Sequence, residues 1–232
     1  MNILVAGASR GIGAMLATDL VDAGHSVAGL ARSLASTWDV PDAVQRIECD
    51  VADERAVRRG FSALRKSDFI PEGIIVVVGA FSADLLMTAG QARVETILSA
   101  NVVAAGNVMR EAARTLVRTG GRVIVMSSIA AQIPLLGNGL YAASKAALES
   151  LVRSYALELR GSGCTFNAVA VSFVADTDMV TALGDENRAA YGERLLVPEP
   201  MGIEVVARVV ELLLAPEGAW INGQVVSLGG PI

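Results

Sequence analysis

Residues 3–13 read ILVAGASRGIG. An apolar, strand-forming run passes into Gly7, Gly11 and Gly13, spaced GxxxGxG. Glycine lets the chain turn sharply and lets backbone approach a ligand with no Cβ in the way. The following AMLATDLVDAG is helix-forming and closes on Gly24, a C-terminal signal. Such a turn also serves as a plain connection between strand and helix. Its place after the first strand and before a helix favours a nucleotide site, because the first-turn N–H groups are unpaired and the helix dipole is positive there. Gly7, Ser9, Arg10, Gly11, Ile12 and Gly13 are then the residues that meet a pyrophosphate.

Outward from this turn, apolar runs alternate with helix-like segments to the end of the chain. The pattern predicts strands near 2–6, 26–31, 44–49, 74–78, 122–127, 165–171 and 224–228. It predicts helices near 11–23, 53–66, 91–118, 139–160 and 202–214. This rhythm specifies an α/β fold: one Rossmann-type domain over 1–232, a doubly wound parallel sheet of about seven strands with helices on both faces. Repeats, linkers and low-complexity segments are absent from the sequence. The least regular stretch, 172–201, contains Pro198 and Pro200 and is expected to form a substrate lid.

Composition narrows the function. The 232 residues are 53% hydrophobic, with a mean hydropathy of +0.50. No apolar run reaches the ~18 residues of a membrane helix; the run IIVVV at 74–78 suits a buried parallel strand. The excess apolar surface needs a burial site. The segments NVVAAGNVMREAARTL and YAASKAALESLVRSYALEL carry small residues on several faces, so a homo-oligomer, dimer or tetramer, built on these helices is expected. An apolar strand beginning at Ile3, with no basic segment before it, argues against a secretory signal and for the cytoplasm. Cys49 and Cys164 belong to no metal-binding pattern and read as buried thiols; His25, the sole histidine, follows Gly24 in a turn. A histidine-ligated metal or a catalytic triad lacks raw material. Net charge is −5 and no basic run interleaves with aromatics, which excludes nucleic acid as the expected partner.

Two positions sharpen the nucleotide reading. The second strand ends VAGLARS, so Arg32 stands where an acidic residue would hold an adenosine ribose. An arginine there can clasp a 2′-phosphate, with Arg10 as a second positive group, which points to NADP(H). Asp50, at the end of the third strand and followed by Val51, can meet the adenine or cap the next helix. A third feature lies in LYAASKAALES, 140–150. Tyr141 and Lys145 stand four apart, on one face of a helix.

In order and spacing, GASRGIG, CDVAD, ANVVA, VIVMSS and YAASK resemble the short-chain dehydrogenase/reductase family, over essentially the whole chain down to WINGQVVSLGG at 220–230. The size and the stretch GAFSADLLM look most like bacterial 3-oxoacyl-(acyl carrier protein) reductases. The resemblance implies a catalytic set of Asn101, Ser128, Tyr141 and Lys145. Tyr141 would donate a proton to the developing alkoxide, and the Lys145 ammonium would lower the phenol pKa from about 10. Lys145 would also bind the nicotinamide ribose. Ser128, thirteen residues before Tyr141, would hold the substrate oxygen, with Ser127 as the alternative. Asn101 would hold a water in a relay to Lys145. Gly79 and Ala80 would offer backbone contacts to the cofactor, and Val174 and Thr177 would meet the nicotinamide.

The pattern breaks in places. Ala6 replaces a usual threonine, VVGA at 77–80 replaces a sequence like NNAG, and Val171–Ser172 replace a Pro-Gly pair, with FVADTDM one residue longer than the common form. The expected activity is NADPH-dependent reduction of a 3-oxoacyl thioester, carrier-linked, in fatty-acid synthesis or a specialised pathway. An acidic carrier protein requires positive charge at the mouth, for which Arg114, Arg118, Arg153 and Arg160 are candidates. The alternatives are a reductase of a small free ketone and a catalytically silent NADP sensor.

Overall fold

The structure is a computed structural model and describes residues 1–33, 38–133, 135–177 and 185–230. Strands β1 (Asn2–Ala6), β2 (Ser26–Ala31), β3 (Gln45–Glu48), β4 (Gly73–Val76), β5 (Gly121–Ser128), β6 (Cys164–Val171) and β7 (Val225–Ser227) form one sheet. Their spatial order is β3-β2-β1-β4-β5-β6-β7 and every pairing is parallel. The helices are α1 (Gly11–Asp22), α2 (Glu54–Lys66), α3 (Gln91–Leu98), α4 (Ala104–Leu116), α5 (Gly139–Glu158), α6 (Asp185–Gly192) and α7 (Ile203–Leu214). No described helix is long and apolar enough to cross a membrane.

Side chains alternate across a strand, so each central strand feeds both faces. Leu4, Ala6, Ile74, Val76, Val123, Val125, Phe166 and Ala168 join α2, α4 and α5 in one core. Ile3, Val5, Ile75, Ile124, Met126, Val169 and Val171 join α1 and α7 in the other. The long apolar runs of the sequence are therefore the runs that a doubly covered parallel sheet demands. Gly24 ends α1 in a left-handed turn (φ +85°); its N–H donates to Val21, and that of His25 to Leu20.

The strand order reverses between β1 and β4. In open parallel sheets, ligands bind in the crevice that this reversal opens beyond the carboxyl ends of the strands. Here the crevice lies between the glycine turn after β1 and the segment 77–80 after β4. Val77 N–H still donates to Ala6 at 2.9 Å, and Gly7 lies so near that a Cβ on it would come within 3.2 Å of the Val77 backbone.

Three departures from the expected elements matter. β4 ends at Val76 rather than 78, because the chain turns out of the sheet towards Gly79, whose φ of +156° suits glycine. The helix expected over 91–118 is interrupted by a π-helical turn, Ser99–Val103, between α3 and α4. The irregular stretch 172–201 contains α6, and its ends are tied down. Val174 bridges Met201, and the Leu196 and Val197 N–H groups donate to Gly230 and Gly229. Residues 178–184 of this expected lid, with part of FVADTDM, lie outside the described residues.

Candidate active site

The glycine turn is built for close approach. Gly7 has φ +93° and donates its N–H to Leu30 at 2.9 Å. A Cβ on Gly13 would stand 2.0 Å from the Gly7 carbonyl oxygen, so any other residue there pushes α1 off the loop. Gly11 has φ +55° and open space where a side chain would project. The first turn of α1 has neither a side-chain cap nor an acidic residue. Its N–H groups are thus left for a ligand, and the site fits the pyrophosphate of a dinucleotide. Arg10, at the N-cap, and Arg32, just past β2, are both exposed. The Ser9 carbonyl accepts the Asp39 N–H at 3.2 Å, and Ile12 packs on the α1 core.

At the end of β3, Asp50 does not cap α2. Asp53 does so, accepting the Arg55 N–H at 2.8 Å. The Asp50 carboxylate accepts the Ala52 N–H at 3.1 Å and is otherwise exposed, which leaves it the adenine alternative. The Val51 carbonyl accepts from the buried Asn107 amide at 3.0 Å, which fixes this edge of the crevice on α4.

The second half of the site converges on Gly79 and Ala80. Asn101, wholly buried in the π turn, accepts the Ala80 N–H at 2.6 Å. Its amide donates to the Ala80 carbonyl at 3.0 Å and to Ser144 at 2.8 Å. The extra residue of a π turn re-aims a side chain, and such turns recur at functional sites. A Cβ on Gly79 would meet Asn101 Oδ1 at 3.1 Å and Lys145 Nζ at 3.5 Å, which brings both groups to one backbone position. Lys145 Nζ donates to the Met126 carbonyl at 2.9 Å. Ser128 closes β5 and hydrogen-bonds the Tyr141 phenol, whose ring packs edge-on against Phe81 at 5.3 Å. Ser127 turns elsewhere and donates to Glu149 of α5 at 2.8 Å. Val174 is buried beside Met201, and Thr177 donates its hydroxyl to the Val174 carbonyl at 2.8 Å.

The electrostatics correct one expectation. The lysine was expected to lower the Tyr141 pKa, but burial pushes the phenol up to about 12, with the Ser128 hydrogen bond opposing it. Nζ stands 5.7 Å from the ring centroid and is turned to the Met126 carbonyl. Burial also lowers the Lys145 ammonium to about 8. Desolvation thus moves both groups towards their neutral forms relative to water, although an ammonium that titrates near 8 is still mostly charged at pH 7.

The altered motif positions are absorbed into the core. Val77 and Val78, where the family has amides, pack in the two sheet cores, and Ala6 is fully buried. Three residues escaped the sequence reading. Ser144 links Asn101 to the Tyr141 carbonyl, to which it donates at 2.6 Å; its place three residues after Tyr141 was the available signal. Glu149 is a buried carboxylate partnered by Ser127. Tyr191, from α6, is buried edge-on against Phe173 in a cluster that includes Ile129, the residue after Ser128, with no sequence signal at all.

A crevice at the sheet reversal, an uncapped glycine turn and a hydroxyl–lysine cluster beside it define a nucleotide-dependent oxidoreductase. The chain belongs to the short-chain dehydrogenase/reductase family: a family model described as Enoyl-(Acyl carrier protein) reductase matches residues 7–230. The 3-oxoacyl-[acyl-carrier-protein] reductase MabA of Mycobacterium bovis is 34% identical, over 99% of this chain and 91% of that protein. FabG of Escherichia coli, of the same designation, is 29% identical over 98% of this chain and 95% of its own length. A short-chain type dehydrogenase/reductase from Mycobacterium ulcerans superposes with a TM-score of 0.89, at 25% identity over 99% of this chain and 91% of that one. A 4-hydroxyisoleucine dehydrogenase complexed with NADH shares the fold at a TM-score of 0.85 and 17% identity, over 98% and 96% of the two chains.

Proposed function

We propose that the chain is an NADPH-dependent reductase that converts a 3-oxoacyl thioester to its 3-hydroxyacyl form. The observation that carries the reading is the convergence of Ser128, Tyr141, Lys145 and Asn101 beside the glycine turn. Bound in the crevice, NADPH supplies the hydride for the carbonyl carbon. Gly7, Gly11 and Gly13 hold its pyrophosphate; Gly79 and Ala80 approach it through backbone, Asp50 and Val51 flank its adenine, and Val174 and Thr177 border its nicotinamide. Arg32 and Arg10 clasp the 2′-phosphate, since both are exposed at the carboxyl end of the β1–β2 pair. Ser128 and Tyr141 hold the substrate carbonyl oxygen between their hydroxyls. A phenol held near 12 stays protonated at neutral pH until a strongly basic alkoxide forms, which suits it to donate. Lys145 and Asn101, close together at Gly79, return the proton to Tyr141.

The substrate class is supported from two sides. MabA and FabG are named for 3-oxoacyl carriers. An apolar depression of about 320 Å³ opens between 84–87 and 135–139, lined by Leu85, Leu86, Met87, Leu135 and Leu136. It suits an acyl chain rather than a polar ketone. A silent sensor is disfavoured, because a buried lysine is costly to keep for binding alone.

One observation favours a second carrier. Arg118 borders a depression at the amino ends of the strands, with Met1, Pro71 and Gly163. Arg160 follows the carboxyl end of α5, roughly 30 Å along the helix from Tyr141. Arg114 lies in the last turn of α4, 2.6 Å from Glu111, and Arg153 lies three turns down α5. These candidates do not gather at the mouth, so a coenzyme A thioester is the second reading. Following NADPH absorbance with acetoacetyl thioesters of carrier protein and of coenzyme A separates them. Oxidation with either thioester supports a 3-oxoacyl reductase; activity confined to simple ketones overturns it. In the same assay Arg32→Asp should raise KM for NADPH far more than for NADH.

A further inference from the structure

β2 ends at Ala31, and Arg32, assigned above to the 2′-phosphate, stands exposed just beyond it. The backbone is held on both sides of this arginine. The Ala31 carbonyl accepts the Cys49 N–H at 2.7 Å. The Ser33 carbonyl accepts the indole N–H of Trp38 at 2.8 Å. Trp38 is only 6% exposed and belongs to the core on the α1 face of the sheet, with Ala8, Val27, Ala31 and Val44. Its six-membered ring lies on β2 where Gly29 has no side chain: a Cβ there would come within 2.8 Å of the ring and 2.8 Å of the Ala8 Cβ. Glycine at 29 therefore makes the room for the indole. The next residue, Asp39, donates its N–H to the Ser9 carbonyl of the glycine turn at 3.2 Å.

An aromatic ring without a polar atom would also fill this space; what tryptophan adds is one N–H donor. That donor goes to the residue directly after Arg32. An arginine binds a phosphate more tightly when its backbone is already fixed, because less conformational freedom is lost on binding. We infer that Trp38 is a positioning residue: its indole N–H fixes the chain beyond β2 so that Arg32 is presented to the 2′-phosphate by which NADPH differs from NADH. The inference rests on the NADPH reading. It divides the adenosine edge of the crevice between two devices. The glycine turn meets the pyrophosphate that both cofactors carry. The bond from Trp38 to Ser33 acts where the two cofactors differ, so its loss should cost selectivity rather than cofactor binding as such.

The test is cofactor binding by the full chain, read from nicotinamide fluorescence, so that it does not depend on turnover. Trp38→Phe keeps an aromatic ring over Gly29 and removes the N–H. We expect the Kd for NADPH to rise about fivefold, the worth of one net hydrogen bond, and the Kd for NADH to change by less than about twofold. Competition by 2′,5′-ADP should weaken in step, while competition by AMP holds. In an Arg32→Ala background the same substitution should move the NADPH Kd by less than about twofold, because the group through which Trp38 acts is gone. Benzothienylalanine in place of Trp38 keeps the shape of the indole and lacks its N–H. It should reproduce the Trp38→Phe result, and it supplies the measurement should that variant fail to fold. Equal losses for NADPH and NADH, an unchanged NADPH Kd, or a loss that persists in full without Arg32 would overturn the inference, with the wild-type preference for NADPH intact. A wild type that binds NADH as tightly as NADPH defeats the NADPH reading, and the inference with it.

Discussion

Lys145 holds its charge against the fold. Its side chain is buried under the crevice, and burial lowers its pKa from 10.5 to about 8. Between those values the unfolded chain binds the proton more tightly than the folded one. Stability therefore rises with pH through that window, and below pH 8 the full cost stands, about 3 kcal/mol. Lys145→Met removes the charge and keeps the apolar stem. We expect this variant to melt above the wild type at pH 7, to lose that advantage by pH 10, and to lose turnover throughout. Thermal melts at the two pH values check the stability claim; an equal or lower melting point at pH 7 would mean that the Met126 hydrogen bond offsets the burial. The i, i+4 spacing of Tyr141 and Lys145 was legible because helical geometry is local. The direction of the Tyr141 shift was not, since it depends on how much water the folded chain removes.

At the scale of elements, the β1 turn and the π turn behave differently. The turn is encoded residue by residue: the left-handed Gly7 and Gly11, and a Gly13 that admits no Cβ against the Gly7 carbonyl. Gly13→Ala must displace backbone, not a flexible side chain. We expect at least a tenfold loss of NADPH affinity by fluorescence titration, with far-ultraviolet circular dichroism retained, because the pyrophosphate cradle is moved rather than the core. A native affinity would show that the loop yields without cost. The π turn had no such signature. ANVVA reads as plain helix, and the extra residue is stabilised by contacts from elsewhere: Ala80 after β4 and Ser144 on α5. Similarly, the segment 77–80 continues an apolar strand pattern, and only its role at the sheet reversal ends β4 at Val76.

Across the whole molecule, apolar surface remains to be covered. Leu157 is 71% exposed on α5, and Val103 and Val117, flanking α4, are 49% and 39% exposed. These are the helices whose small residues pointed to a homo-oligomer. We expect light scattering to report a dimer or tetramer and Leu157→Glu to shift it to a smaller species, since a charge buried in such an interface costs several kcal/mol. A monomeric wild type would remove the expectation. The fold could be read directly from the chain, and so could the glycine turn and the spacing that puts Tyr141 and Lys145 on one helix face. Strand and helix periods, left-handed glycines and short-range spacings are local properties, and the parallel sheet with Gly7, Gly13, Tyr141 and Lys145 follows from them. The tertiary structure alone decided which distant groups meet at one side chain or backbone turn: Ser144 on Asn101, Asn101 at Ala80, Lys145 on the Met126 carbonyl, and the arginines at the wrong end of the sheet. Those contacts span tens of residues, and no sequence period encodes them, because they arise only when separate elements pack against one another and exclude water.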